Sequence, residues 1–161
     1  MRKIESGSAL KPRICPARKE DLSGLLALEN ICFKEETFNK RQLEYLLLKA
    51  KSLVLVVSAE GSAEDNIIGS MVILLREHIA HARIYSLNVH PSYRRRGLGS
   101  SLMDSALGFL KDKGFKKITL ETGMNNTVAL NLYKSKGFSV DRILKGYYKD
   151  GGDAFHLTKN L

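Results

Sequence analysis

The stretch Val89-His90-Pro91-Ser92-Tyr93-Arg94-Arg95-Arg96-Gly97-Leu98-Gly99-Ser100-Ser101-Leu102-Met103 sets the frame for the rest of the chain. It leaves an apolar run, passes a proline turn and three arginines, and reaches Gly97-Leu98-Gly99. From there Leu98, Leu102, Ala106 and Leu110 recur four apart, with Ser101, Asp104, Ser105 and Gly108 on the other side, which predicts an amphipathic helix. A glycine turn that opens a helix presents unpaired backbone N–H groups at the positive end of the helix dipole. Glycine lets a phosphate reach the main chain where a side chain would hold it off. Arg94, Arg95 and Arg96 add full charges beside those donors. The pattern is that of a polyphosphate cradle.

Two nucleotide folds fit this cradle poorly. A P-loop places lysine and then serine or threonine after its last glycine, whereas Ser100-Ser101 follow here without a lysine. A dinucleotide-binding turn gains an acid from Glu121, at the end of the next apolar run. Leu102 stands where its third glycine belongs, however, and His90 to Arg96 separate the turn from its strand.

Outward from the cradle, the chain reads as one domain over residues 11–161 behind a flexible tail at residues 1–10. Residues 12–17 predict a short strand that Pro16 confines to an edge. Leu22, Leu25, Leu26, Leu28 and Ile31 give a helix with one apolar side, and Leu43, Leu46 and Leu47 give a second over residues 39–49. Strands over residues 53–58 and 67–75 are joined by a polar loop, 60–66. Residues 83–89 predict a strand alternating Tyr85, Leu87 and Val89 against Ile84, Ser86 and Asn88.

The cradle helix ends at Lys113-Gly114, a good C-cap. Residues 117–122 then form a strand with Ile118 and Leu120 on one face and Thr119 and Glu121 on the other. Asn125-Asn126-Thr127 caps a helix over 128–136, and strands at 138–144 and 154–158 close the chain as a hairpin. The order predicts an α/β fold with a mixed, mostly antiparallel sheet flanked by helices.

Composition bounds the function. A chain of 161 residues suits one domain with a real core, and no apolar run approaches the roughly 20 residues of a membrane span. The N-terminal decapeptide lacks the apolar segment of a signal peptide. Cys15 and Cys32 have neither metal-ligand nor framework spacing and read as two reduced thiols in a cytoplasmic protein. His78 and His81 lack a third ligand nearby, so no metal is assigned. A net charge of +9 attracts polyanions of any kind, but the excess is spread along the chain and does not by itself mark a nucleic-acid binder.

Arg94-Arg95-Arg96-Gly97-Leu98-Gly99 resembles motif A of the GNAT family of N-acetyltransferases, Gln/Arg-x-x-Gly-x-Gly/Ala. Residues 120–138, LETGMNNTVALNLYKSKGF, are similar to motif B, with an acid at a strand end, an asparagine before the helix, then Leu-Tyr and Gly-Phe. Within the family, the match is to ribosomal-protein alanine and Ard1-like N-terminal acetyltransferases. Residues 144–157, LKGYYKDGGDAFHL, are similar to the C-terminal strand pair of the latter. The resemblance implies acetyl-coenzyme A as cosubstrate. Leu87, Asn88 and Val89 would meet its pantetheine arm, Arg94, Arg95, Arg96, Gly97, Leu98, Gly99 and Ser100 its pyrophosphate, and Asn126 would also contact the cofactor. Glu121 would be the base and Tyr133 the acid, while Glu29, Phe33, Tyr147 and Tyr148 would hold the acceptor. Plain structural roles stay open beside these: Tyr133 as a core aromatic, Glu121 paired with Lys116 or Lys117, Asn126 as a helix cap.

The implied acceptor is a peptide or protein N-terminus, in proximity to the ribosome, with the enzyme a monomer or homodimer and no membrane involved. Attack on a thioester needs a neutral amine. At pH 7 an α-amine of pKa ~8 is about one-tenth neutral, but a lysine of pKa ~10.4 is less than about one-thousandth neutral. The alternatives are a transferase for a small amine or a lysine side chain, and a basic module for RNA or ribosomes. The last expects stacking aromatics, and Tyr93 is the only aromatic residue over 92–103. The resemblance departs at Arg83, where Ard1-like enzymes usually have histidine, and at Lys34-Glu35-Glu36, where a proline-bearing segment is common.

Overall fold

Seven strands form one sheet: β1 (Arg13–Pro16), β2 (Ser52–Ser58), β3 (Ile67–Arg76), β4 (His81–Val89), β5 (Lys117–Gly123), β6 (Ser139–Leu144) and β7 (Ala154–Asn160), in the spatial order β1-β2-β3-β4-β5-β7-β6. Among the described residues, four α-helices cover it: α1 (Leu22–Cys32), α2 (Lys40–Leu48), α3 (Leu98–Asp112) and α4 (Thr127–Ser135). This computed structural model describes residues 13–33, 38–59 and 66–161. The expected tail, residues 60–65 of the polar loop, and Lys34-Glu35-Glu36 lie outside the described residues.

The apolar pattern sets the layers. Strands β2 and β3 are buried almost end to end because both faces are covered. On one face, Leu102, Met103, Ala106 and Leu110 of α3 pack with Met71, Ile73, Ile118, Leu120 and Leu157, together with Leu130 and Tyr133 of α4. On the other, Leu25 and Leu28 of α1 and Leu43 and Leu46 of α2 cover Val54, Val56 and Val72. Helix α2 starts where Asn39 and Gln42 exchange side-chain to backbone hydrogen bonds, each 2.9 Å. Ile31 departs from expectation: it is half exposed, because the buried stripe of α1 runs through Leu25, Leu28 and Glu29 and passes it by.

Two irregularities shape the middle of the sheet. Val72 lies opposite Ser86 but Ile73 lies opposite Ile84, so Tyr85 is an extra residue in β4. The regular alternation expected over residues 83–89 therefore breaks there. Ala82 and Ile84 face α3 before the bulge, Leu87 and Val89 pack on that same core after it, and Tyr85 is left exposed. In addition, β4 and β5, the one parallel pair, are in register only at His81↔Lys117, Ala82↔Ile118 and Arg83↔Thr119. Beyond Arg83 they part, while β5 stays paired with β7 along its whole length. The result is a wedge in the sheet, open at the end where α3 begins.

Candidate active site

The wedge is lined on one side by β4. His90 donates its N–H to Ile68 O at 2.8 Å. Backbone groups alternate in direction along a strand, so those of Val89 and Leu87 point away from β3 and into the wedge, while those of Asn88 point to β3. The Val89 carbonyl is already taken there, accepting from Arg94 Nε at 3.1 Å and from Cys32 Sγ at 3.5 Å. The Asn88 side chain turns to α1, where its Nδ2 donates to Glu29 Oε2 at 2.7 Å.

At the mouth of the wedge lies the glycine turn. Gly97 has φ +79° and Arg95 φ +64°. A Cβ on Gly97 would meet no atom within 4 Å, so its outer side is open space. The first intrahelical bond of α3 is Ser101 N–H to Gly97 O at 2.9 Å, and no side chain caps the helix start, so the N–H groups of Leu98, Gly99 and Ser100 remain for an anion. The three arginines divide: Arg94 holds the end of β4, Arg96 lies over the Tyr93 ring at 5.2 Å, and Arg95 is exposed. Leu98 anchors the turn in the core, and a Cβ on Gly99 would crowd Leu132 of α4 at 3.3 Å, so this glycine also lets two helices approach.

Glu121 projects from β5 on the face away from α3, because Leu120 beside it fills the α3 core. Its side chain is 11% exposed, and Arg83 binds its Oε1 from Nε at 2.9 Å and from Nη2 at 2.6 Å. Burial works against the Arg83 charge, but Glu121 outweighs it and raises the guanidinium pKa further. Arg83 Nη2 also donates to the Tyr147 hydroxyl at 3.2 Å. Neither Lys116 nor Lys117 is the partner of Glu121; Arg83 is. His156, directly opposite Glu121 on β7, presents Nε2 to Glu121 Oε2 at 3.5 Å. Sequence reading passed over His156, because only the β5–β7 register reveals it.

Tyr133 lies on the other face, packed edge-on against Phe138 with ring centroids 6.0 Å apart. Burial, with a smaller contribution from Tyr148, pushes its phenol up to about 12. The group therefore stays protonated at neutral pH and can donate. The unfolded phenol ionises near pKa ~10, so the folded state holds its proton more tightly. This stability is intact below pH ~10 and is lost as pH rises towards the folded value. Tyr133→Phe should flatten that alkaline loss, measured by denaturant unfolding at stepped pH.

Asn126 caps α4, its Oδ1 accepting from Ala129 N–H at 3.2 Å. It also lines an open depression of about 670 Å³ with Gly123, Met124, Tyr148 and Asp153. Tyr147 and Tyr148 meet edge to face, with ring centroids 5.0 Å apart; Tyr147 reaches Arg83, and Tyr148 lies beside Gly123 at the end of β5. Phe33 is exposed at the end of α1. Glu29 is buried instead, bound to Asn88 and to the Phe38 N–H at 3.4 Å; burial raises its pKa against the pull of both bonds. The wedge thus brings Glu121, Arg83, Tyr147 and His156 together on one face, and the glycine turn and Tyr133 lie on the other. Among the described residues, no group of three or more His, Cys, Asp or Glu side chains is placed to hold a metal.

Comparison with known proteins finds relatives over most of this architecture. Residues 20–138 match the family described as "Acetyltransferase (GNAT) family". An N-alpha-acetyltransferase of Caenorhabditis elegans is 29% identical over 150 residues, covering 90% of this chain and 80% of that protein. The N-terminal acetyltransferase A complex catalytic subunit of Schizosaccharomyces pombe is 31% identical over 154 residues, covering 92% and 85%. Among solved structures, the ribosomal-protein-S18-alanine N-acetyltransferase from Escherichia coli shares the fold with a TM-score of 0.82 at 22% identity, covering 92% of this chain and 93% of that one. A chain of the NatC complex, solved with Gag peptide and CoA, has a TM-score of 0.81 at 25% identity, covering 94% and 99%.

Proposed function

The chain belongs to the acetyltransferase (GNAT) family, and from that premise we propose that it moves acetyl from acetyl-coenzyme A to the α-amine of protein N-termini. One observation carries the reading: the wedge between β4 and β5 has an anion cradle on the α3 face and a carboxylate, Glu121, on the opposite face. A donor with a polyphosphate tail and an acceptor amine then approach the same gap from two sides, without competing for space.

On the donor side, the free N–H groups at the start of α3 and Arg95 hold phosphate, and the wedge edge of β4, at Leu87 and the Val89 N–H, pairs with the amides of the pantetheine arm. Tyr133 donates to the departing sulfur; a phenol at about 12 is a better hydrogen-bond donor than a proton source to a thiolate of pKa ~8.5. On the acceptor side, Glu121 draws the proton from the ammonium, and Tyr147 and Phe33 flank the entering chain. Tyr148 and Asn126 line the depression beside the end of β5, where the acetyl group emerges. The resemblance to N-alpha-acetyltransferases over nine-tenths of the chain supports an α-amine acceptor, and the pKa gap between α-amines and lysines favours it. The setting that follows is cytoplasmic and close to the ribosome; among the described residues no helix is long and apolar enough to cross a membrane.

The test compares three acceptors: a peptide with a free N-terminus, the same peptide blocked at its α-amine but carrying a lysine, and a polyamine. The free peptide is expected to be acetylated at least about tenfold faster than the others, a conservative fraction of the neutral-amine advantage. Faster turnover of the blocked peptide or the polyamine would replace this reading with a lysine or small-amine transferase.

A further inference from the structure

Glu121 does not stand alone as a base. Arg83 occupies its Oε1 through two nitrogens, which leaves Oε2 to take a proton, and Oε2 faces His156 Nε2 at 3.5 Å. The other ring nitrogen of His156, Nδ1, lies 2.5 Å from Asp141 Oδ1. That hydrogen bond, above all, holds the Asp141 carboxyl below its ordinary range, so Asp141 is an anion and can only accept. Nδ1 therefore carries the hydrogen in this bond, and the other ring nitrogen, Nε2, is the one turned towards Glu121.

The sheet builds this row deliberately across its strands. Glu121 and His156 are register partners on β5 and β7. On the outer strand, the register shifts between Val140 and Arg142, which frees Asp141 from pairing and lets it reach His156. Exposure rises along the row: the side chains of Glu121 and His156 are each 11% exposed, whereas that of Asp141 is 40% exposed. The row begins at the wedge and ends at the solvent edge of the sheet.

Resting on the acetyl transfer proposed above, we propose that His156 is a positioning residue that takes from Glu121 the proton given up by the acceptor ammonium and, with Asp141, passes it to solvent. The ammonium proton moves to Glu121 Oε2, then to His156 Nε2; the resulting imidazolium releases its Nδ1 proton through Asp141 to solvent, and proton exchange with solvent restores the Nδ1–H ring for the next turnover. The freed amine lone pair attacks the thioester carbon; the C–N bond forms and the C–S bond breaks. The second amine proton goes to the departing sulfur, so each transfer yields an amide, a thiol and one released proton. Arg76, Arg83, Arg142 and His81 line the same cavity of about 260 Å³ with His156 and Glu121.

The experiment uses His156→Gln and Asp141→Asn in the full chain with a free-N-terminus peptide, reading unfolding temperature, KM for acetyl-coenzyme A, and kcat from about pH 6.5 to about pH 9.5, which spans the α-amine pKa of ~8. His156→Gln is expected to lower kcat roughly 10- to 100-fold at neutral pH with KM changed less than about twofold. The deficit should close above the amine's pKa, where the acceptor arrives neutral and needs no relay. Asp141→Asn should show a smaller deficit of the same pH shape, and Asp141→Glu should restore most of the rate. Wild-type kcat in both variants, or a deficit constant across pH, overturns the relay. Should His156→Gln fail to fold, Asp141→Asn on the outer strand carries the same test. A wild-type enzyme that leaves the peptide unacetylated refutes the acceptor assignment instead, and shows it before any variant is made.

Discussion

Glu121→Gln is expected to cut kcat by roughly 10²- to 10⁴-fold, the range of positioned acid–base groups, while KM for acetyl-coenzyme A stays within about twofold. Glutamine keeps the shape of the side chain and an oxygen for Arg83, but it cannot take a proton. The substitution also leaves Arg83 without its anion in a site where both partners are mostly buried, so some loss of stability is expected as well. The double variant Arg83→Gln/Glu121→Gln separates the two effects. It removes the uncompensated charge, so its unfolding temperature should recover relative to Glu121→Gln while its kcat stays low. A Glu121→Gln enzyme with wild-type kcat would reduce the carboxylate to a structural partner of Arg83.

What the sequence disclosed, and what it withheld, follows from the range over which each feature is determined. The α3 stripe was legible because its period is local: Leu98, Leu102, Ala106 and Leu110 all reach the core. The face of Glu121 was legible for the same reason, from strict alternation with Ile118 and Leu120. The bulge at Tyr85 was not, since an extra residue in one strand exists only relative to its neighbour, here β3. His156 escaped notice because its partners, Glu121 and Asp141, lie on other strands and meet it only through register. Arg83 was visible as an unusual residue, but its meaning depended on a carboxylate 38 positions away. Glycine pattern and charge together predict a cradle; that Arg94 turns back to tie down Val89 and Arg96 settles on Tyr93 is a matter of side-chain packing that no spacing encodes.

Gly97→Val should weaken coenzyme A binding by roughly 10- to 100-fold in calorimetry, at about 1.4 kcal/mol for each factor of ten. Two costs act at this position. The backbone sits at φ +79°, where an L side chain is strained by roughly 1–2 kcal/mol and a β-branched one by more. The second cost falls on the ligand, because the space outside Gly97 is empty of protein and is where an anion must lie to reach the N–H groups of Leu98, Gly99 and Ser100. Strain destabilises the fold whether or not a ligand is present; occlusion is felt only by the ligand. Gly97→Ala distinguishes them, since it carries most of the backbone strain with one methyl of bulk. If occlusion dominates, alanine and valine should lower the unfolding temperature by similar small amounts while affinity falls much further for valine. Gly99→Ala supplies the opposite control: its Cβ would press on Leu132 at 3.3 Å, inside the protein, so stability should suffer more than affinity. A folded Gly97→Val protein that binds coenzyme A as wild type does would remove the turn from the donor site.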